Sequence, residues 1–500
     1  MEFLNSIFSW IIKKRIHQIE LFEKYPIEVQ NDVFKKLVQT ARNTEWGKTY
    51  EYNTIQSYQD YKKRVPIQDY EDVKKNVLRM KHGEQDVLWP GEVKWFAKSS
   101  GTTNDKSKFI PVSKESLENC HYKAGKDLLS IYCNNKENSR LFSGKSLVVG
   151  GSSQVNQFAS DSYYGDLSAI IIRNLPFWVE YRRTPDLSIA LMSEWEEKLE
   201  KLASSTAQED VTNIAGVPSW TLVLLNRILE ITGKKSIAEV WPHLELYMHG
   251  GVSFAPYKKQ FQNIISSKTI NYMETYNASE GFFGIQNDLN SADMLLMLDY
   301  GIFYEFIPCN NPDKIHSLEE VELNKNYELV ISTNAGLWRY KIGDTIQFTS
   351  LYPFKIVVTG RVKQHINVFG EELMIDNTEK ALKIACEKTD CLVSDYTVAP
   401  VFMEEGNKGR HEWLIEFSKP PQNLDYFSET LDNALKSLNS DYEAKRYKGL
   451  ALENLLLTPL PVGTFYKWMK KRGKLGGQNK VPRLSNDRKY ADDIKTLSEC

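Results

Sequence analysis

Short apolar runs, each about the length of one strand, recur with turns between them from residue 244 to residue 362. Before this stretch, amphipathic patterns of helical length alternate with isolated apolar runs. The helices predicted there are 29–40, 58–64, 70–80, 114–133, 188–204 and 219–232. Helices that alternate with strands, followed by a run of strands, are typical of an α/β core with an attached β region.

The pattern changes again after Gly370. Beyond it, the elements predicted are helices at 375–389, 425–440 and 464–474 and strands at 393–400, 411–417 and 452–457. This is the composition of a separate α+β unit, and 500 residues are too many for one ordinary core. We therefore expect a large N-terminal domain over 1–360 and a small, mobile C-terminal domain over 361–500, with a hinge near 361–363.

The charge and the cysteines exclude several classes of protein. The net charge is −2, which leaves no bulk basic field for nucleic acid. The six cysteines form neither a C-x-x-C pair nor a Cys/His cluster, so neither a zinc site nor a disulfide framework is indicated. Reduced thiols in the cytoplasm are the simplest interpretation.

The N-terminus is apolar on one side. Its apolar residues on one helical face are Leu4, Ile7, Phe8, Ile11 and Ile12. An acid precedes the bases and no small-residue cleavage site follows, which is the wrong order for a secretion signal. The segment is either a helix packed on the main domain or a membrane-surface anchor. We expect the former, and no stable membrane association.

A polar loop, Ser-Ser-Gly-Thr-Thr-Asn-Asp-Lys-Ser-Lys at 99–108, lies between two apolar runs that predict strands. Its backbone N–H groups, hydroxyls and lysines can converge on one anion, which suits a polyphosphate. An ordinary hairpin is the alternative, because turns of this composition are common. The spacing G-x-x-x-x-G-K-[ST] is absent, so this is not a Walker loop.

Two stretches that follow strands offer further contacts to a nucleotide. Gly250 and Gly251 would let the backbone approach a flat ligand closely, although a tight turn explains them as well. In the run Tyr276 to Gly281, the tyrosine would stack on a purine. The serine and carboxylate after it would meet a phosphate and its Mg²⁺, although an exposed turn with an incidental acid is the alternative.

Three later stretches add polar groups. Asp344 is predicted on a rigid turn after an aromatic run, where its carboxylate would accept hydrogen bonds from both hydroxyls of a ribose. An ordinary turn at the end of a strand is the alternative. Arg361 follows Gly360 at the domain boundary, where it would contact a nucleotide beside a hinge or belong to an ordinary linker. Lys480 follows a Gly-Gly loop and is either a cation on a flexible arm or part of a solvated tail.

In this order and spacing, these stretches resemble the adenylate-forming superfamily, which includes acyl-CoA synthetases and firefly luciferase. Within it, the chain resembles the auxin-responsive acyl-acid-amido synthetase family (Gretchen Hagen three). The stretches that carry the resemblance are 99–103, 304–308, 327–330, 336–344 and 478–483. The likeness extends from about residue 25 to about residue 485, nearly the whole chain.

The resemblance implies a role for each matching position. The residues it assigns to ATP are Ser99, Ser100, Thr102, Thr103 and Lys108 on the phosphate loop, Gly250, Gly251, Val252 and Tyr276 around the adenine, Ser279 at the α-phosphate, and Asp344 and Arg361 at the ribose. Glu280 would hold Mg²⁺, and Lys480 would approach the α-phosphate during adenylation. Lys108, Glu280 and Lys480 would thus carry the chemistry.

The acyl pocket is less well defined. Its candidates by position and apolar character are Val217, Trp220, Thr221 and Phe283, and core packing explains them equally well. The implied enzyme uses ATP and Mg²⁺ to adenylate a small carboxylic acid and transfers the acyl group to an amine, expected to be an amino acid. Two alternatives stay open, an acyl-CoA-type ligase with the same first step and a catalytically dead binding protein.

The chain departs from the plant pattern at four positions. Asp105 replaces a glycine of the phosphate loop, where a carboxylate would repel ATP unless a neighbouring lysine offsets it. Asn277, Ala278 and Asn479 replace Gly, Ser and Tyr. These departures predict a distant, bacterial branch, and they put plant-hormone substrates in doubt more than the chemistry.

Overall fold

The computed structural model describes residues 14–100, 107–149, 155–158, 161–175, 177–192, 195–252, 254, 257–267, 269–362, 365–403, 408–447, 451–472 and 481–498. Several predictions lie outside the described residues: those for the N-terminal helix, Thr102, Thr103, Asp105, Lys363, Asn479 and Lys480. Of the helices that the structure describes, none has the length and apolar character needed to cross a membrane.

The chain divides into two compact units. The first comprises Met1–Ser99, Phe109–Phe254 and Phe261–Val362. The second comprises Ser100–Lys108, Ala255–Gln260 and Lys363–Cys500. That residues 361–363 act as a hinge stays a prediction.

The strands are numbered in chain order. They are β1 (Trp95–Ser100), β2 (Ser107–Val112), β3 (Lys145–Val149), β4 (Asn156–Gln157), β5 (Tyr163–Gly165), β6 (Arg183–Thr184), β7 (Val211–Gly216), β8 (Leu246–Gly250), β9 (Asn271–Ala278), β10 (Gly281–Ile285), β11 (Met294–Leu296), β12 (Ile302–Pro308), β13 (Asn326–Thr333), β14 (Tyr340–Leu351), β15 (Phe354–Arg361), β16 (His365–Ile366), β17 (Leu373–Met374), β18 (Leu392–Val401), β19 (Arg410–Lys419) and β20 (Leu456–Leu460).

The helices of the first unit lie mostly before β8. Helical segments are Ile16–Lys24, Pro26–Ala41, Glu45–Thr49, Tyr58–Arg64, Tyr70–Lys81, Lys114–Ser116, Tyr122–Asn135, Leu167–Arg173, Phe177–Glu180, Leu187–Ala190, Trp195–Thr206, Pro218–Thr232 and Ile237–Val240. The helix Lys258–Ile265 is divided between the units, since residues up to Gln260 are counted with the second and those from Phe261 with the first. The second unit adds Ile375–Thr389, Leu424–Leu438, Ser440–Arg446, Thr464–Lys471 and Lys489–Ser498.

Eleven of the described strands form one sheet in the first unit, in the order β12-β13-β14-β15-β11-β10-β9-β8-β7-β3-β6. From β6 to β9 the neighbours are parallel. From β9 to β12 they are antiparallel. Parallel strands need crossover connections, which Pro218–Thr232 and Lys258–Ile265 help to supply after β7 and β8. The predicted α/β core with an attached β region is confirmed.

Local capping explains why two predicted helices begin at the predicted residues. The Ser57 hydroxyl accepts a hydrogen bond from the Asp60 N–H, and the Asp60 carboxylate accepts one from the Ser57 N–H at 3.0 Å. The Asp69 and Asp72 side chains cap Tyr70–Lys81 in the same reciprocal way. Such capping boxes satisfy N–H groups that a helix leaves unpaired, so a few neighbouring residues determine the first turn.

A four-stranded sheet, in the order β2-β1-β5-β4, carries the predicted phosphate loop between β1 and β2. Its face is aromatic, and Phe158 stacks on Tyr164 with ring centroids 4.2 Å apart. The Lys81 ammonium lies 3.9 Å from the Phe158 centroid, a cation–π contact that fixes the preceding helix to this sheet. The prediction that two strands flank the loop is confirmed.

A buried ion pair joins two of the stretches that carry the family resemblance. Arg339 donates to Glu305 at 2.8 and 2.9 Å, and both side chains are at most 2% exposed. The guanidinium also donates to the Val65 carbonyl at 2.7 Å, and the Tyr58 hydroxyl donates to Glu305 at 2.8 Å. Because every charged group has partners, the pair ties the start of β14 to β12 and to the helix Tyr58–Arg64.

The second unit is built on a smaller sheet, in the order β18-β19-β20. Its predicted helix 425–440 ends at Leu438, because Asn439 accepts from the Tyr442 N–H at 2.8 Å and begins a new helix, Ser440–Arg446. The strand predicted at 452–457 lies instead at Leu456–Leu460, where it pairs with β19. The α+β composition predicted for this part of the chain is confirmed.

Candidate active site

Neighbouring parallel strands of the large sheet end at three of the predicted sites. Val217 follows β7, Gly250 ends β8, and Ser279 follows β9. Since parallel neighbours end at the same edge of a sheet, these positions lie side by side along it. This edge of an open α/β sheet is where ligands usually bind.

Gly250 is opposite Thr275 in the β8–β9 pairing. A Cβ atom at Gly250 would lie 2.5 Å from the Thr275 hydroxyl and 2.6 Å from its carbonyl oxygen. The packing of β8 against β9 therefore leaves no room for a side chain at Gly250, and the approach of a ligand to this backbone stays a prediction. Val217 flanks the next residue, because a Cβ at Gly251 would lie 3.6 Å from a Val217 methyl.

Gly250→Ala is expected to destabilise the protein by about 1–3 kcal/mol, the usual cost of overpacking. The clash is with a strand carbonyl, which cannot move without breaking the β8–β9 pairing. Urea unfolding checks this, with Gly125→Ala as control because a Cβ there meets nothing within 4 Å. Equal stability of the two variants would contradict the expected clash.

Asp344 lies inside strand β14, so the prediction of a rigid turn is wrong. Lys341 and Thr345 of β14 are opposite Val330 and Glu328 of β13. Three residues lie between the first two and only one between the second two, so β14 contains a bulge. Gly343 adopts φ +89° within this bulge, a conformation that favours glycine. A bulge re-aims side chains, and here it directs Asp344 toward β9 and β15.

Both carboxylate oxygens of Asp344 have partners. The Arg361 guanidinium, opposite it on β15, lies 2.8 Å from Oδ1, and the Tyr276 hydroxyl donates to Oδ2 at 2.8 Å. Arg361, which the resemblance placed beside Asp344, and Tyr276, which it placed at the adenine, therefore form one cluster with Asp344. Both the bond and the ion pair hold the carboxylate in one orientation while leaving it lone pairs for further donors.

Tyr276 is buried near the end of β9. Burial, together with the adjacent Asp344 charge, holds the pKa of Tyr276 well above its ordinary value, which keeps the hydroxyl protonated as a donor. Its ring packs against Phe283 with centroids 4.9 Å apart. Adenine stacking on the ring stays a prediction.

Ser279 and Glu280 form the two-residue turn between β9 and β10, because Ala278 is opposite Gly281. Burial is the main cause of the raised pKa values of Tyr276 and Tyr340, and the Glu280 charge contributes to both. The carboxylate therefore lies within electrostatic range of the cluster around Asp344. A rigid turn at the sheet edge is a suitable place from which to bind a cation and a phosphate.

The phosphate loop is described only at its ends. Ser99 and Ser100 end β1, and Lys108 is the second residue of β2. Residues 101–106, which include Asp105, lie outside the described part, and so does Lys480. Their predicted roles stay predictions.

The acyl-pocket candidates fall into two places. Thr221 and Trp220 are buried in the helix that follows Val217, and the Thr221 hydroxyl donates to the Val217 carbonyl at 3.0 Å. Phe283 lies in the main hydrophobic core beneath Tyr276. The structure thus puts Val217 at the edge beside Gly251, whereas Phe283 belongs to the core packing that was its alternative explanation.

Three family models match the chain in succession. They are the GH3 family N-terminal domain over residues 15–270, the GH3 family central domain over 295–361 and the GH3 family C-terminal domain over 376–489. The chain belongs to the GH3 family.

Relatives of the GH3 chain match it almost end to end. It is 22% identical to indole-3-acetic acid-amido synthetase GH3.4 of Arabidopsis thaliana, over 94% of this chain and 91% of that protein. It is 24% identical to 4-substituted benzoates-glutamate ligase GH3.12 of the same plant, over 94% of each. These relatives are plant proteins, so they do not support the prediction of a bacterial branch.

A solved structure shares the fold of the GH3 chain. The acyl acid amido synthetase AtGH3.15, in complex with 2,4-DB, superposes with a TM-score of 0.62 at 17% identity, over 94% of this chain and 93% of that one. This likeness confirms the fold class, a large N-terminal and a smaller C-terminal domain of mixed α/β composition.

Sequence reasoning missed part of the GH3 site. Gln68 forms an isolated parallel β-bridge with Tyr340. The Tyr70 hydroxyl accepts a hydrogen bond from the Phe109 N–H at 2.9 Å. Tyr340 is buried near Glu280 and Arg361. Gln68 and Tyr70 are remote in the chain from Tyr340 and belong to none of the stretches that carry the resemblance, so the sequence gives no signal for these contacts.

Proposed function

We propose that this GH3 chain is an ATP-dependent ligase that adenylates a carboxylic acid and transfers the acyl group to the amine of an amino acid. The observation that carries the proposal is the Asp344 carboxylate, held by Tyr276 and Arg361. A fixed carboxylate suits the paired hydroxyls of a ribose. The relatives named as amido synthetases and ligases support the same reaction class.

In the first step, the substrate carboxylate attacks the α-phosphorus of ATP, an acyl-adenylate forms, and pyrophosphate leaves. Asp344 would hold the ribose while Ser279 faces the α-phosphate. Lys108 and Lys480 would offset the negative charge that the phosphates bring together. The protein's contribution is therefore orientation and electrostatic stabilisation rather than covalent chemistry.

Mg²⁺ fits the residues at this edge. It commonly binds one or two carboxylates together with substrate phosphates, and Glu280 on its turn supplies one carboxylate. Within the described ranges, no group of three or more His, Cys, Asp or Glu side chains could hold a metal ion by itself. When bound, the ion would neutralise phosphate charge.

In the second step, the amine of the acceptor attacks the acyl carbonyl, the new amide bond forms, and AMP leaves with the electron pair of the bond to the acyl group. The acceptor is an amino acid in this proposal, and both substrates are small molecules. A cytoplasmic location is part of the proposal, supported by cysteines that form no disulfide pattern in the sequence.

Pyrophosphate release from ATP across a panel of carboxylic acids tests the proposal. The assay is repeated with amino acids and with coenzyme A as acceptors of the preformed adenylate. Discharge by amino acids alone is the expected result, whereas discharge by coenzyme A alone would favour an acyl-CoA-type ligase. If none of the acids in the panel causes pyrophosphate release, the result would favour a binding protein without activity.

Lys363→Pro is expected to slow the second half-reaction more than the first, if the small domain rotates about residues 361–363 between them. Proline fixes φ near −65° and removes an N–H donor, so it restricts a backbone that must change conformation. Single-turnover transfer from a preformed adenylate measures the effect. Lys363→Ala is the control, since it removes the charge and keeps the freedom, and normal transfer by the proline variant would count against the rotation.

A further inference from the structure

Residues 481–485, here called the strap, run along the edge of β18 within the second unit. The Val398 N–H donates to the Arg483 carbonyl at 2.9 Å, and the Ser485 N–H donates to the Val398 carbonyl at 3.0 Å. The Thr397 hydroxyl donates to the Pro482 carbonyl at 2.6 Å. These bonds attach the strap, which begins immediately after residue 480, to the sheet.

Apolar contacts hold both ends of the strap. Val481 and Leu484 are each 6% exposed. Val481 belongs to the core cluster that includes Leu414, Trp468 and Ile494. The strap is thus anchored from its first residue, so the chain has a defined path immediately after position 480.

Arg483 is the polar clamp of the strap. Its guanidinium donates to the Tyr396 carbonyl at 3.0 Å, contacts the Asp395 carboxylate, and lies 4.7 Å from the centroid of the Tyr396 ring. Its Nε lies 3.6 Å from Glu379. The planar guanidinium is always charged and has several N–H donors, so it can make these contacts together, which a lysine ammonium cannot do.

The chain after the strap reaches the residues that follow the predicted hinge. The Asn486 side chain accepts from the Asn367 N–H at 2.7 Å and donates to the His365 carbonyl at 3.2 Å. The strap is therefore tied to β18 and to the segment around β16. Any movement of that segment would carry the strap with it.

We infer that Arg483 is a positioning residue of the adenylation step, because it clamps to β18 the strap that follows Lys480 directly in the chain. The inference rests on the proposed function, which assigns Lys480 to the α-phosphate. Val481 is joined to Lys480 by one peptide bond, so loosening the strap would move the lysine's backbone. Since Val481 and Leu484 keep apolar anchors, the loss of Arg483 displaces the strap rather than releasing it.

Arg483→Ala tests the inference. A displacement of about 1 Å costs up to about a hundredfold in rate, and with the apolar anchors intact we expect about tenfold slower adenylate formation. The KM for ATP and the single-turnover transfer from a preformed adenylate should stay unchanged. Arg410→Ala is the matched control, because Arg410 forms a comparable ion pair with Glu453 in the same unit at 35% exposure.

A double variant separates positioning from general stability. If Arg483 acts through Lys480, then Arg483→Ala should slow adenylation no further once Lys480 is alanine. Additive losses, or equal losses in both half-reactions, would identify Arg483 as merely structural and overturn the inference. A Lys480→Ala variant with normal adenylation would instead overturn the role of Lys480 in the proposed function.

Trypsin supplies a readout that needs no ATP chemistry. Cleavage after Lys480 requires the strap to leave β18, because the protease binds several residues on each side of the bond. We expect the Arg483→Ala protein to be cleaved there faster than wild type and faster than the Arg410→Ala control. Equal cleavage rates would show that Arg483 does not hold the strap, whatever the protein adenylates.

Discussion

Lys480→Ala is expected to slow pyrophosphate release by about 10²- to 10³-fold, the loss seen when one preorganised electrostatic stabiliser is removed. The corresponding rise in the barrier is about 2.7–4 kcal/mol. The physical reason is that charge gathers on the α-phosphate as the carboxylate attacks, and a cation placed there stabilises the transition state more than the ground state. Rapid-mixing measurements of adenylate and pyrophosphate formation would quantify the effect.

The control for this variant is Lys471→Ala. Lys471 is 57% exposed on the same unit, where it pairs with Asp493 at 3.7 Å, so its loss removes one positive charge from that unit. The transfer of a preformed acyl group to the amine should continue in the Lys480 variant. Pyrophosphate release at the wild-type rate would remove Lys480 from the mechanism.

Asp344→Ala is expected to lower kcat/KM for ATP by about a hundredfold, which corresponds to about 2.7 kcal/mol. The substitution removes the acceptor for the ribose hydroxyls, and it leaves the Arg361 guanidinium and the Tyr276 hydroxyl without the partner seen in this structure. Hydrogen bonds to charged groups are worth about 1.5–3 kcal/mol each, so the loss of one or two of them is enough for an effect of this size. Steady-state kinetics over a range of ATP concentrations measures it.

Asp293→Ala is a matched control for Asp344→Ala. Asp293 directly precedes β11 and also forms an ion pair with a residue of β15, with Lys355 at 3.3 Å, and both side chains are about 15% exposed. It contacts the far end of the hairpin, away from the Asp344–Arg361 pair. Similar unfolding midpoints with different ATP dependence would assign the effect to the site. Equal ATP dependence of the two variants would argue against a ribose contact at Asp344.

The elements of this fold were predictable wherever a few neighbouring residues determine them. The helices Tyr58–Arg64 and Tyr70–Lys81 start at capping boxes, and Ile375–Thr389 has the predicted bounds. The predicted bounds were wrong where contacts between residues distant in the chain determine the element. One predicted helix at 188–204 is two helices, Leu187–Ala190 and Trp195–Thr206, and the strand before the last helices is shifted to the register that pairs with β19.

The candidate site shows the same division. Gly250, Ser279 and Glu280 were predictable because glycines and polar turn residues directly follow strands, which is a local pattern. The resemblance assigned Asp344 and Arg361 together to the ribose, a role that stays a prediction, but it did not predict the hydrogen bond from Tyr276 to Asp344. The surroundings of Asp344 depend on the bulge at Gly343, which shifts the β13–β14 register by a pairing that no local pattern specifies.

The sequence by itself determined the family, the α/β class, and which residue types could meet ATP, because motif composition and periodicity are properties of short segments. Only the tertiary structure decided that Tyr276, Asp344 and Arg361 share one hydrogen-bonded cluster, and that the strap after Lys480 is clamped by Arg483. The physical reason is that strand order and register bring these residues together. Both are set by burying one continuous core, to which the whole chain contributes.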